Sequence, residues 1–161
     1  MNLSQIKQTM GLMAFGILKV PLIFSVRPSV VRLDRSTCEV KIPLNYWTRN
    51  HLKSMYFGTL AIGADCAGGL LAMDVIARVA KKKKISIVFK DFKADFLKRP
   101  EGDVHFTCHD RKAVEKITRA TLQTGKRVYT PLTIIATVPK LLGNEPVAKF
   151  VLTLSLKRQE A

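Results

Sequence analysis

The segment from Asn50 to Asp65 carries the residues of this chain whose types and spacing best suit catalysis. Asp65 lies two helical turns beyond Gly58, inside a run of apolar and small residues where a charged group needs a partner or a task. Gly58 permits close approach near a predicted helix start, where free backbone amides bind developing negative charge. An amide side chain, exposed backbone amides and a carboxylate together indicate hydrolysis of an acyl compound.

The chemistry of ester or thioester hydrolysis needs only a few groups. It requires a positioned base or nucleophile and an oxyanion stabiliser worth roughly 3–4 kcal/mol. A helix start supplies the stabiliser, and Asp65 supplies the base, with a pKa that burial in an apolar pocket is expected to raise. Two structural interpretations stay open: Asp65 as a hydrogen-bonded carboxylate at a subunit contact, and Asn50 as a loop residue that caps the helix start.

Competing catalytic motifs are absent from the sequence. It contains no Gly-x-Ser-x-Gly motif and no Walker or dinucleotide glycine motif. On a strand, His105 and His109 would share a face about 13 Å apart with Cys108 on the other face, which argues against a metal site. Cys38, Cys66 and Cys108 lack C-x-x-C spacing, so neither a disulfide framework nor a zinc site is predicted, and a reducing cytoplasm fits best.

The net charge of +15 is the unusual feature of the composition, whereas 47% hydrophobic and 24% charged residues are ordinary. Such a charge indicates an anionic partner: nucleic acid, an anionic membrane or a polyphosphate ligand such as a CoA thioester. Lys82 and Lys83, in the lysine run 81–84, are candidates for binding CoA phosphates, and a solvated helix end is the alternative. Aromatic residues do not interleave with the basic ones, so nucleic-acid binding ranks lowest.

The elements that must position these residues follow from the apolar periodicity. We predict a strand over 38–44, a helix over 57–79, strands over 85–96 and 104–108, a helix over 110–122 and a final hairpin over 128–138 and 147–157. Pro43 suggests a sheet edge, a phase shift predicts a bulge near Lys90 and Asp91, and Asp110 and Gly125 are expected to cap and close the second helix. Four glycines in the long helix predict a very close approach of backbone or ligand.

The N-terminal segment is apolar but interrupted by Lys19 and Pro21. It is too short and too broken for a membrane span, and it lacks a convincing signal-peptide pattern. We predict an amphipathic helix over 3–18 that packs against the domain, with contact to a membrane surface as the alternative. The expected organisation is a helix and lead-in over 1–30, followed by one domain over 31–161.

The fold class indicated is α+β, with a long helix on an antiparallel sheet of about five or six strands and an extra N-terminal helix. The order of strand, long helix and four strands resembles the hotdog fold. The run Ile42-Pro-Leu-Asn-Tyr-Trp-Thr-Arg-Asn-His51, the Phe57-Gly58 helix start and the later Asp65 resemble the PaaI-type hotdog thioesterases. The resemblance is closest to their DUF4442 branch and runs from about Val31 to the C-terminus.

The resemblance implies roles for individual residues. Asp65 would be the nucleophile or general base, the amide of Phe57 beside Gly58 would donate to the thioester oxygen, and Asn50 would orient water or substrate. The His-Gly pair of the PaaI-type enzymes is replaced here by Tyr56-Phe57, and any residue but proline retains a backbone amide. Tyr56 and His51 are then candidates for substrate contact, although His51 also suits simple loop packing.

The function expected from this resemblance is hydrolysis of an acyl-CoA or acyl-carrier thioester in the cytoplasm. No cofactor is expected beyond the CoA of the substrate, and the protein is expected to form a homodimer or a tetramer of dimers. A non-catalytic acyl-thioester or lipid-binding module of the same architecture is the first alternative. A basic nucleic-acid-binding protein is the second.

Overall fold

The computed structural model describes residues 2–81 and 83–159, in which a sheet wraps around one long helix. In chain order the elements are α1 (Leu3–Lys19), α2 (Pro21–Ser25), β1 (Ser29–Leu33), β2 (Cys38–Ile42), α3 (Phe57–Ala80), β3 (Ile85–Phe96), β4 (Val104–Cys108), α4 (Arg111–Thr124), β5 (Val128–Thr137), α5 (Pro139–Leu142) and β6 (Pro146–Arg158). The sheet is antiparallel, with strand order β1-β2-β4-β5-β6-β3. This architecture confirms the predicted α+β hotdog fold.

The central helix α3 is built from small residues because the sheet approaches it closely. A methyl group added at Gly63 would lie 2.3 Å from the ring of Phe106, and one at Gly68 would meet Phe89, 3.4 Å away. Alternating residues of β2, β4, β5 and β6 form the buried face opposite this helix. Within the described chain, α3 alone is long and apolar enough to cross a membrane, and its burial identifies it as a core helix.

The two edges of the sheet differ in how they are covered. At the β1 edge, the amide of Val30 donates to Thr9 Oγ1 of α1, and Gln5 Nε2 donates to the carbonyl of Val31. At the other edge, β3 pairs with β6 on one side, and no strand of the described residues pairs with its other side. Val88 and Phe92 on this edge strand are about half exposed. The β3 edge therefore remains available for pairing.

Two local predictions are confirmed by the backbone. The register between β3 and β6 shifts between Phe89 and Phe92, which is the expected bulge. Gly125 adopts a left-handed φ of 69° and its amide donates to the carbonyl of Thr121, so it closes α4 as predicted. Both signals are local, because a bulge and a helix end depend on a few neighbouring residues.

Two other local predictions are wrong. The strand expected near a sheet edge is β2, which lies between β1 and β4, because the ladder ends at Ile42 and Pro43 falls beyond it. The strand β1, which the periodicity did not predict, takes the edge. Asp110 precedes α4 but makes no side-chain cap. Its carboxylate instead accepts a hydrogen bond of 2.6 Å from the backbone amide of Thr133 on β5.

Candidate active site

Asp65 lies on α3 as a half-buried carboxylate. Its Oδ1 atom faces the next turn of the helix, where a methyl group added at Gly69 would lie 3.9 Å from that oxygen and 4.0 Å from the ring of Phe89. No residue in 2–81 or 83–159 forms a hydrogen bond or an ion pair with it. Burial raises the pKa of Asp65 above its ordinary value. An unpaired carboxylate of raised pKa, with apolar neighbours, is suited to proton abstraction.

A second carboxylate on the same helix provides the contrast. Asp74 Oδ2 lies 2.5 Å from Arg111 Nη2 and 3.0 Å from Arg78 Nε. The pairing with Arg78 at i+4 was expected from the spacing, whereas the contact with Arg111 was not. Asp74 is therefore held by two guanidinium groups as a structural residue, and Asp65 is not.

The start of α3 presents backbone amides without partners. The N-cap residue, Tyr56, makes no side-chain cap, and the first bond of the helix runs from the amide of Leu60 to the carbonyl of Tyr56. Among the described residues, no group accepts a hydrogen bond from the amides of Phe57, Gly58 or Thr59. These amides lie at the positive end of the helix dipole, where an oxyanion is stabilised.

Two aromatic rings border this helix start. The rings of Tyr56 and Phe57 have centroids 4.7 Å apart, and both side chains are substantially exposed. The Tyr56 ring also covers Gly58, because a methyl group there would lie 2.5 Å from Tyr56 Cε1. Gly58 thus leaves room for an aromatic wall beside the free amides.

Asn50 is engaged within its own loop. Its Oδ1 accepts hydrogen bonds from the amides of Leu52 (2.9 Å) and Ser54 (3.2 Å), and its Nδ2 lies 3.1 Å from Ser54 Oγ. The loop is anchored further where the amide of Met55 donates to the carbonyl of Pro100. Asn50 is therefore a residue that holds its own loop, but it does not cap α3, which has no side-chain cap. His51 is exposed in the adjoining turn.

The lysine candidates lie at the opposite end of α3. The helix has 24 residues, which corresponds to a length of about 36 Å. Lys83 is exposed just beyond its end, and Lys82 lies outside the described residues. Within one chain, the structure does not bring Lys83 near the free amides of the helix start.

Spacing along the helix also separates Asp65 from the free amides. Eight residues from Phe57 to Asp65 span about 12 Å along the axis and about 80° around it. The oxyanion donors must lie within about 3 Å of the carbonyl oxygen, and the base must contact the carbonyl carbon or the water that attacks it. With about 12 Å between them along the axis, Asp65 and the free amides of one helix are poorly placed to act on the same carbonyl.

The cysteines are unsuited to nucleophilic catalysis. Cys38, Cys66 and Cys108 are all buried. Burial raises the pKa of Cys66 and of Cys108 to about 12, and it raises the pKa of Cys38 further. The reactive thiolate form is thus strongly disfavoured at neutral pH. Within 2–81 and 83–159, no three His, Cys, Asp or Glu side chains converge as a metal site would require.

A separate polar pocket lies on the outer face of the sheet. It has a volume of about 370 Å³, and its lining includes Gln5, Lys41, Asp103 and His105. His105 Nδ1 lies 2.6 Å from a carboxylate oxygen of Glu39 on the neighbouring strand. These side chains alternate with the buried ones that face α3, so the pocket lies on the opposite side of the sheet from Asp65.

Comparison with solved structures supports the fold assignment. PA5026 of Pseudomonas aeruginosa, described as a protein of unknown function and probable thioesterase, is 18% identical, with 94% of this chain and 96% of that chain covered and a TM-score of 0.76. OLEI01261 of Chlorobaculum tepidum TLS, of unknown function, is 14% identical, with 96% and 97% covered and a TM-score of 0.79. Thioesterase HI1161 of Haemophilus influenzae is 13% identical, with 85% and 82% covered and a TM-score of 0.63. Identities this low establish a shared fold.

Comparison of the sequence with protein families gives one match. The family described as "Domain of unknown function (DUF4442)" matches residues 9–138. This confirms the branch named from the sequence, although the match begins inside α1 rather than near Val31. No curated protein matches the chain.

Proposed function

The chain belongs to the DUF4442 family, and from that membership and the geometry of α3 we propose that it hydrolyses thioesters of CoA or of an acyl carrier. The observation that carries the proposal is the state of Asp65. It is a half-buried carboxylate with raised pKa and no partner in the described chain, on the same helix whose start has unpaired amides. These are the base and the oxyanion donors that acyl transfer to water requires.

The proposed reaction uses groups from two copies of the chain. Asp65 of one copy takes a proton from water while the water oxygen attacks the thioester carbonyl carbon. The amides of Phe57 and Gly58 from the other copy hold the oxyanion. Collapse of the intermediate breaks the carbon–sulfur bond, and the abstracted proton passes to the leaving thiolate, which leaves a carboxylic acid and a thiol. In the nucleophilic variant, the carboxylate of Asp65 attacks the carbonyl carbon, and the carbon–sulfur bond breaks to release the thiolate and leave an anhydride. Water then hydrolyses the anhydride, which returns the Asp65 carboxylate and the carboxylic acid, and the proton that is released passes to the thiolate.

Several features support assembly of two copies through β3. The strand is long, its outer edge is unpaired within the described chain, and unpaired edges readily add a further strand. A partly exposed stripe on α3 surrounds Asp65 and consists of Ile62, Gly69, Met73 and Ile76. Antiparallel pairing of two β3 strands would continue the sheet and lay the two α3 helices side by side in opposite directions. Each helix start would then approach Asp65 of the other copy.

The same arrangement suggests where the substrate would bind. With each helix start level with Asp65 of the other copy, the end of α3 would extend about 22 Å past the start of the neighbouring α3. The aromatic wall of Tyr56 and Phe57, with His51 at its rim, would then border the thioester, whereas Lys83 would lie too far along the helix to bind CoA phosphates beside this wall. The net charge of +15 favours an anionic substrate of this kind.

A hydrolysis assay across acyl-CoA chain lengths tests the proposal. Wild-type protein should release free thiol, and Asp65→Asn should lower kcat by at least about a hundredfold, the low end for loss of a general base. Glu115→Gln is the matched control, because it removes a half-exposed carboxylate from α4 and should leave turnover unchanged. Equal turnover by Asp65→Asn and Glu115→Gln would refute the catalytic role.

A second candidate is a non-catalytic acyl-thioester or lipid-binding module. It is favoured by one observation: Oδ1 of Asn50 accepts hydrogen bonds from the amides of Leu52 and Ser54 and Nδ2 contacts Ser54 Oγ, so this carboxamide holds its own loop together rather than a water. Calorimetric binding of acyl-CoA without measurable hydrolysis over the same panel would support this candidate over the enzyme.

A further inference from the structure

The N-terminal helix α1 packs on the sheet through a mixed face of polar and apolar residues. Leu12, Phe15 and Gly16 pack inward, and Gln5 and Thr9 hydrogen-bond the backbone of β1. A surface helix normally buries its apolar stripe and exposes its polar one. In α1 apolar side chains lie on both faces, and the polar Gln5 and Thr9 on the inward face satisfy backbone groups of an edge strand.

The outward face of α1 is also largely apolar. Leu3, Met10 and Ile17 recur every seven residues along it, and the exposed fractions of Leu3 and Met10 are 69% and 66%. Leu18 is 75% exposed, and α2 extends the surface with Leu22 at 62%. The surface named here the α1–α2 apolar face consists of Leu3, Ile6, Met10, Ile17, Leu18, Val20 and Leu22. An exposed apolar surface of this kind marks an interaction site.

The charges around this face are of one sign. Residues 1–33 contain Lys7, Lys19, Arg27 and Arg32 and no acidic residue. Lys7 lies on the outward side between Leu3 and Met10, and Lys19 and Arg27 are exposed beside α2. Lys7, Lys19 and Arg27 form no ion pair with any residue in 2–81 or 83–159. Exposed apolar side chains flanked by unpaired cations complement a bilayer surface, in which anionic headgroups cover an apolar interior.

We propose that the α1–α2 apolar face docks on the surface of an anionic lipid bilayer. Its leucine, isoleucine, methionine and valine side chains would enter the boundary between headgroups and acyl chains. The long side chains of Lys7 and Lys19 would extend to the lipid phosphates. This inference goes beyond thioester hydrolysis and does not depend on it.

A second copy of the chain fits this face less well. In a two-fold interface the same surface meets itself, so Lys7 and its neighbours would face identical cations with no acidic residue from this segment to offset them. The sheet topology also separates the two surfaces, because α1 covers the β1 edge and the proposed subunit contact is at β3. Docking on a membrane therefore leaves the β3 edge free for assembly.

Vesicle sedimentation tests the proposal with the intact chain. We expect binding to phosphatidylcholine vesicles that contain about 30 mol % phosphatidylglycerol and little binding to pure phosphatidylcholine. Binding should weaken at about 0.5 M salt, where the Debye length falls well below that at physiological ionic strength. Absence of binding to the anionic vesicles, or equal binding to both compositions, would overturn the proposal.

Matched variants assign the binding to this face. Met10→Gln/Leu18→Gln should weaken binding about tenfold or more by removing apolar side chains from the boundary region, and Leu97→Gln/Tyr129→Gln, which also removes two exposed apolar side chains, should not. Lys7→Gln/Lys19→Gln should weaken binding more than Lys112→Gln/Lys116→Gln on α4. All sites are exposed, so circular dichroism should show unchanged folding.

Two results would assign the face differently. If the α1 variants and the control variants lost vesicle binding equally, the binding would depend on the overall charge or hydrophobicity of the protein and not on this face. That result would overturn the proposal. If Met10→Gln/Leu18→Gln instead lowered the oligomeric state without lipid, as measured by light scattering, the face would be a contact between copies of this chain.

Discussion

Asp65 and Asp74 lie nine residues apart on α3, and only Asp74 has cationic partners in the described chain. Asp74 contacts Arg111, which is 4% exposed, and Arg78. Oδ1 of Asp65 lies beside Gly69 and has no such partner in the described chain. The same side-chain type thus serves a structural ion pair at one position and is left unpaired at the other. This difference makes their substitutions behave in opposite ways.

Replacement of Asp74 should destabilise the fold strongly. Asp74→Asn leaves the buried guanidinium of Arg111 without its charge partner, and breaking a buried pair costs about 3–5 kcal/mol. Arg78→Gln removes only the exposed partner, and the expected loss is about 0–1 kcal/mol. Urea unfolding of the two variants measures both values. Similar losses would show that Arg111 does not depend on Asp74.

Replacement of Asp65 should instead stabilise the fold at neutral pH. Burial raises the folded-state pKa of Asp65 above its ordinary value of 3.8, so its contribution to stability is fully present below that value and is lost as pH rises through the folded-state pKa. The amide side chain of the Asp65→Asn protein does not ionise, so this protein does not lose stability as pH rises. Its advantage over wild type in the free energy of unfolding should be greatest at neutral pH and should vanish under acid. A less stable Asp65→Asn protein at neutral pH would reveal a partner that holds the charged form.

Gly63 should tolerate no side chain. Gly63→Ala places a methyl group 2.3 Å from the Phe106 ring, and overpacking of this kind typically costs about 1–3 kcal/mol. Gly11 on α1 is the control, because a methyl group there meets nothing within 4 Å. Gly11→Ala should be stabilising by up to about 1 kcal/mol, owing to the higher helix propensity of alanine. The midpoints of thermal unfolding of Gly63→Ala and Gly11→Ala, each compared with wild type, measure both effects.

The amide of Phe57 can be removed without disturbing the helix. Proline is tolerated at the first helical position, and Tyr56 before it is already extended, with φ −65° and ψ 139°. Phe57→Pro should lower kcat with little change in stability, because it deletes an oxyanion donor that has no partner in the described chain. Phe57→Ala, which keeps the amide, separates this effect from loss of the ring. Equal activity of the proline and alanine variants would exclude the amide from catalysis.

The same variant tests whether two copies share one site. Inactive Asp65→Asn and inactive Phe57→Pro proteins are mixed and refolded together. If each site combines Asp65 of one copy with the amide of the other, mixed dimers regain one intact site, and about a quarter of wild-type activity returns. No recovery in a mixture that light scattering shows to be dimeric would place both groups in the same chain.

Local sequence patterns determined much of this protein. Apolar periodicity predicted the long central helix, the bulge of β3 and the closure of α4 at Gly125, because each depends on residues that are neighbours along the chain. The residues from Ile42 to Asp65 identified the family. The spacing of Phe57 and Asp65 was also present in the sequence, and it already implied that one helix could not bring the two groups together.

Only the tertiary structure decided which of these residues have partners. Arg111 reaches Asp74 from 37 positions away, and Asp110 binds a strand amide instead of capping its own helix. Gln5 and Thr9 of α1 lie inward because they meet an edge strand that periodicity did not predict. Such contacts join segments far apart in the chain, and no local pattern specifies them. The packing of the sheet around α3 therefore decides which side chains are buried, which carboxylates lack partners and which apolar faces stay exposed.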